Sequence, residues 1–147
     1  MATSDERGPG GTQPVPGTGS EAGGRPAGIV KPGAETRRHE VAAGTATEMQ
    51  VLLGPEDGAP NFAMRRFIMG EGGGMPRHTN TVEHEQFVLR GRAVVTIGEA
   101  SHEVGPQDVL YIPAGVPHDY NVLEAPFEFL CVVPNAPDQV RLTEEED

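Results

Sequence analysis

Two of the five histidines in this 147-residue chain, His78 and His84, fall within seven residues, with the amide of Asn80 between them. Neutral imidazole is the commonest side-chain ligand for zinc, copper, iron and nickel, so the run from His78 to Gly91 reads as a candidate metal site. A second run, Asp108 to Asn121, carries Val109-Leu110-Tyr111-Ile112 into Pro113-Ala114-Gly115 and sets His118 three residues beyond the glycine. Two hairpins that each present a histidine near a strand start can face one another across a small barrel and close a single shell.

Strand alternation decides which neighbours could join them. Successive side chains of an extended chain point to opposite faces, so residues 78, 80 and 84 share one face and Glu83 and Glu85 the other, unless a bulge resets the register. By the same rule Tyr120 shares the face of His118, which makes it a better candidate for substrate contact than Tyr111 or the outward-facing Arg77. Cys131 has the parity of Phe127, Phe129 and Val133, with Glu128 opposite, so its thiol belongs on an apolar inner face. His39 and His102 lie in neither run and are expected to face solvent.

The elements that must hold these residues are short. Apolar runs at 39–42, 49–53, 62–69, 93–97, 101–104, 109–112 and 127–133 are each ended by Gly, Pro or a polar turn, and a Gly-rich turn is expected after Met69. Seven or eight strands at even spacing with no convincing helix indicate an all-β sandwich or barrel of the jelly-roll kind. Residues 1–38 hold nine Gly and five Pro and show no period, so they are expected to be a disordered leader. The barrel domain is assigned to residues 39–140 and an acidic, solvated tail to 141–147.

Composition narrows the partners. The net charge is −11, and because the first 38 residues carry five basic groups against four acidic ones, the acidity belongs to the body. Such a surface repels phosphate backbones, which argues against nucleic acid. The single cysteine forbids an intrachain disulfide and a cysteine-rich zinc site. No apolar run reaches the ~20 residues needed to cross a membrane, and no signal-peptide core is evident, so a cytoplasmic location is expected.

Together the two runs resemble the paired motifs of the cupin superfamily, G-x5-H-x-H-x3or4-E-x6-G and G-x5-P-x-G-x2-H-x3-N, over about residues 47 to 136. Gly72, His78 and Gly91 match the first, and Pro113, Gly115 and His118 the second. Asn80 stands at the second His position. Counting back from Gly91 puts His84 where the family has its Glu, as in small single-domain cupins with a His-rich shell. The longer spacing from Asn80 would make Glu85 the ligand instead. Gln107 replaces the second motif's first Gly, and Asn121 comes one residue early.

The resemblance implies a cupin jelly-roll barrel (a double-stranded β-helix), a homodimer, and one divalent transition metal ion held by His78, Asn80, His84 and His118. Asn80 would act directly or through water. It also brings Cys131 and Phe129, with Tyr120, near the pocket. Iron or manganese is favoured; zinc, nickel and copper remain open. A histidine shell without a carboxylate leaves the ion its full charge and favours anionic ligands, which points to a dioxygenase-like oxidoreductase acting on a small chelating substrate. An isomerase or cyclase, or a non-catalytic small-molecule-binding cupin, is the alternative, because one fold hosts all three.

Overall fold

The computed structural model describes residues 27–143, so most of the expected leader, residues 1–26, and the end of the acidic tail, residues 144–147, lie outside it. The chain divides into units of residues 1–31 and 32–147. Of the first, residues 27–31 are irregular and exposed. The second opens with a 3-10 turn, Gly33–Glu35, pinned where the buried Gln50 side chain donates to the Thr36 carbonyl at 2.7 Å.

Eight strands follow: β1 Arg38–Glu40, β2 Thr45–Leu53, β3 Phe62–Thr79, β4 His84–Ile97, β5 Ala100–Val104, β6 Val109–Ile112, β7 His118–Pro134 and β8 Arg141–Leu142. All pairings are antiparallel, in the order β1-β2-β3-β7-β4-β5, with β6 on β4 and β8 on β3. The expected all-β cupin architecture is the one observed. The tail's first residues, 141 and 142, form β8 against Thr79 and His78.

Longer strands than the breakers suggested carry the barrel, and the reason lies at its corners. The glycines after Met69 do not turn the chain back; they form an irregularity inside β3, where pairing jumps from Met69↔Phe127 to Gly74↔Asn121. β4 has a matching irregularity between Val88 and Ala93, opposite the Glu124–Glu128 stretch of β7. A bulge bends a strand and shifts which residues face inward. The buried set accordingly changes parity in each long strand: Met69 then His78 in β3, Val88 then Ala93 in β4, Tyr120 then Phe127 in β7. Gly91 sits at this corner with φ 78°, and a Cβ there would meet the Pro126 and Glu124 carbonyl oxygens.

Within each straight segment the alternation is regular. In β4, His84, Gln86 and Val88 are buried while Glu85, Phe87 and Leu89 are exposed. The core is built from Met69, Val88, Val95, Ile112, Phe127 and Phe129. Among the described residues no helix is long and apolar enough to cross a membrane.

Candidate metal centre

His78 is the penultimate residue of β3, His84 opens β4 and His118 opens β7. The run from 78 to 84 is therefore two strands joined by a short turn, and its histidines meet through topology rather than through one strand's parity. β7 lies between the other two strands, pairing His118 with His78 on one side and with Ile97 of β4 on the other. Ring centroids are 4.2 Å apart for His78 and His118 and 5.7 Å for His84 and His118. All three rings are buried, as is Asn80.

Hydrogen bonds set the orientation of each ring. Nδ1 of His78 lies 2.7 Å from the Pro76 carbonyl and Nδ1 of His118 lies 3.0 Å from that of Val116. A carbonyl can only accept, so Nδ1 carries the proton and Nε2 of the neutral ring keeps its lone pair. His84 rests its Nδ1 3.3 Å from Cys131 Sγ. The Nε2 atoms of His84 and His118 and the Oδ1 of Asn80 are buried with no partner among the described residues. Such atoms ask for an explanation, and an electrophile shared between them supplies one.

Burial is the main force holding the His84 ring's pKa down to about 3, helped by the charge of Arg65; burial likewise depresses His118 to about 4. Rings that stay neutral at ordinary pH are competent ligands. Among the described residues, though, no three His, Cys, Asp or Glu side chains stand as a ready-made metal-holding group. Closing a shell here takes the Asn80 amide or a rotation of the imidazoles about their side-chain bonds.

The rings open onto a cavity of about 260 Å³ inside the barrel. Tyr120 and Phe129 line it. Cys131 is fully buried behind His84 and is absent from the lining. Glu85 is exposed on the outer face, opposite His84. His39 is exposed and stands at the cavity, and His102 is exposed away from it.

Sequence reasoning missed several contributors. Arg65 and Gln86 both line the cavity, and each had a legible signal: Arg65 has the parity of Phe67 and Met69, and Gln86 that of His84. Gln86 Nε2 donates to the Tyr120 hydroxyl at 2.7 Å, and burial raises Tyr120 well above the usual phenol range, so the hydroxyl stays protonated. Asp138 had no local signal. Its Oδ2 accepts from Asn80 Nδ2 at 3.0 Å and its Oδ1 from the Thr81 amide at 3.0 Å, which fixes the amide and leaves Asn80 Oδ1 free.

Antiparallel strands wound into a barrel, with a histidine cluster opening on its interior, define a jelly-roll fold. Residues 65–133 match the family model described as Cupin domain. That stretch is a cupin domain, and the chain is similar to solved cupin proteins. The polyketide cyclase RemF from Streptomyces resistomycificus is similar at 26% identity and TM-score 0.74, covering 82% of this chain and 89% of its own. A cupin-2 domain from Rhodospirillum rubrum is similar at 27% identity and TM-score 0.63, covering 75% and 74%. A cupin 2 domain-containing protein from Halorhodospira halophila follows at 28% identity and TM-score 0.63, covering 67% and 71%. No curated protein matches significantly.

Proposed function

We propose that the barrel is a metal-dependent enzyme acting on a small carbonyl compound through an enolate, in the chemical class of cyclases and isomerases. The observation that carries this reading is the company the imidazoles keep. Three thioethers, Met49, Met69 and Met75, line the same small cavity. Thioethers are readily oxidised to sulfoxides, so an oxygen-activating centre would sit among sites of self-damage. Non-oxidative chemistry has no such conflict. The likeness to a polyketide cyclase over most of both chains supports the same choice. The oxygenase expectation keeps one support, the absence of a carboxylate from the candidate shell.

The residues that would hold a divalent ion are His78, His84 and His118, with Asn80 as the fourth donor. When bound, such an ion polarises a carbonyl and lowers the acidity barrier of the adjacent C–H. The chain's own groups do the rest. Tyr120, kept protonated by burial, donates its O–H to Gln86 Oε1 at 2.9 Å, and by turning away from that partner it would donate to the oxygen on which charge develops. Phe129 and the methionines exclude water from the reacting group. The one carboxylate in the lining, Glu40, is exposed on β1, where a released proton reaches solvent.

Elemental analysis of protein purified without added metal tests the first half: about one equivalent of a transition metal is expected, lost in His84→Ala and retained in Glu85→Ala. The reverse pattern would refute the His84 assignment. An oxygen electrode tests the second half during turnover of poly-β-ketone model substrates. Product should form with no oxygen uptake, and uptake in step with product would return the reading to an oxygenase.

The homodimer is proposed on the outer face of β4 and β6, where Phe87 is 41% exposed, Val109 74% and Tyr111 59%. Phe87 and Val109 are register partners, so the patch is contiguous. Val109→Glu should halve the mass seen by light scattering, and a wild-type monomer would refute the pairing.

A further inference from the structure

Of the described side chains lining the cavity, Arg65 alone carries a permanent positive charge. Among the described residues no carboxylate forms an ion pair with it, and Glu40, the carboxylate of the same lining, is exposed. The Arg65 Nε is buried without a partner, and its NH2 donates to Cys131 Sγ at 3.4 Å. A thiol sulfur is a weak hydrogen-bond acceptor, so that contact answers the guanidinium only weakly. The guanidinium lies 5.1 Å from the Phe67 ring centroid, a stack that orients it and leaves its charge intact. Three other arginines of the barrel stand beside carboxylates: Arg66 with Glu128 at 2.8 Å, Arg92 with Glu103 at 2.7 Å and Arg77 with Asp119 at 3.9 Å.

A second observation is independent of charge. Phe67 and Phe129 stack with centroids 5.1 Å apart at 13°, and Phe129 and Tyr120 at 5.2 Å and 11°. Tyr120 in turn lies 5.9 Å from the His118 ring. A row of near-parallel rings thus runs from beneath the Arg65 guanidinium to the imidazole cluster. A partly buried guanidinium offers a planar fork suited to a carboxylate or enolate, and the row of rings beside it offers an apolar wall of ring edges for edge-to-face contact.

We propose that Arg65 is the anion-recognition residue of this cavity, and that the ligand is a small planar aromatic or conjugated anion. Its carboxylate or enolate is held by the guanidinium, with its ring system lying along Phe67, Phe129 and Tyr120. The inference rests on the reading of this cavity as a substrate site and deepens it, but it does not depend on a metal. The small volume restricts the ligand to one or two fused rings.

The test is calorimetric titration of the full-length protein, as purified and after chelation, with 2-naphthoate and its neutral methyl ester. The carboxylate should bind at least about ten-fold tighter than the ester in both forms. Arg65→Met should abolish that preference, and Arg65→Lys should keep part of it. Thermal melts of each variant establish that it is folded, with Arg65→Gln as a second neutral substitution should the methionine variant fail. Equal binding of acid and ester by the wild type, or a preference that survives in Arg65→Met, overturns the proposal. A preference that vanishes on chelation and ignores Arg65 also overturns it, while leaving the metal centre standing. A preference that depends on Arg65 in protein found to contain no metal upholds it, while the metal reading fails.

Discussion

Arg65 and Arg66 are neighbours on β3 and meet opposite fates. Arg66 points to the outer face and donates to Glu128 Oε1 at 2.8 Å, and Glu128 is itself buried. Arg65 points into the barrel, where its guanidinium meets a thiol and an aromatic ring and, among the described residues, forms no ion pair. Both have a buried Nε without a partner, so that feature decides nothing; the carboxylate does. The same contrast extends along the sheet. On the outer face Arg92 meets Glu103 and Thr96 meets Ser101, whereas on the inner face His84, His118 and Asn80 keep polar atoms unanswered. Polar groups that serve the fold are paired within it, and groups left unpaired in a cavity are available to something that enters.

The largest consequence of the unanswered inner face is acid sensitivity. Unfolded histidine titrates near 6.5, whereas the folded rings of His84 and His118 are held to about 3 and about 4. Between pH 6.5 and about 4 the unfolded chain binds protons that the folded chain refuses, so stability present above pH 6.5 is lost as pH falls. The slope is about 1.4 kcal/mol per pH unit for each ring. Urea midpoints of chelated protein from pH 7.5 to pH 4 should show this decline, and it should flatten in a His84→Asn, His118→Asn double variant. An unchanged slope in the double variant would assign the acid sensitivity to carboxylates of the outer face.

Breaking the pair on the outer face comes next in size. Glu128→Ala leaves Arg66 without its carboxylate and is expected to cost about 2–3 kcal/mol, because removing one partner of a largely buried pair strands the other. Arg65→Met removes a cation that has no such partner. It should change stability by less than about 1 kcal/mol, with a gain as the natural sign. Denaturant melts of the two variants side by side decide the comparison. Equal losses would mean that Arg65 is as structural as its neighbour.

Much of this was legible in the sequence, and what was not has a physical reason. Strand alternation correctly put Glu85 outside and His84 inside, and it put Tyr120 on the face of His118, because these relations lie within one straight segment. Alternation could not carry across a bulge. The glycines at 70–74 read as a turn because a turn and a barrel corner make the same demand on the backbone, and only the pairing with β7 tells them apart. Asp138 was invisible because its contact with Asn80 spans 58 residues. Cys131 was given the right face. Its actual place behind His84 depends on packing depth, which parity does not encode.

The smallest effect concerns a place where the outer surface, unlike the cavity, holds strain with no use for it. Gln107 adopts φ 75°, in the left-handed region, in the tight turn where Asp108 N donates to Gly105 O at 3.1 Å and Gly105 N to Asp108 Oδ2 at 2.8 Å. The second motif has glycine at this position, and the angle is the physical reason: a Cβ disfavours that conformation by about 1–2 kcal/mol, part of which glycine returns through its larger unfolded-state entropy. Gln107→Gly is therefore expected to stabilise the barrel by up to about 1 kcal/mol in a urea melt. The turn lies away from the histidines, so ligand affinity should stay the same. A stability gain accompanied by altered 2-naphthoate binding would show that the two faces are coupled through β6, and the division between a paired exterior and an unanswered interior would have to be redrawn.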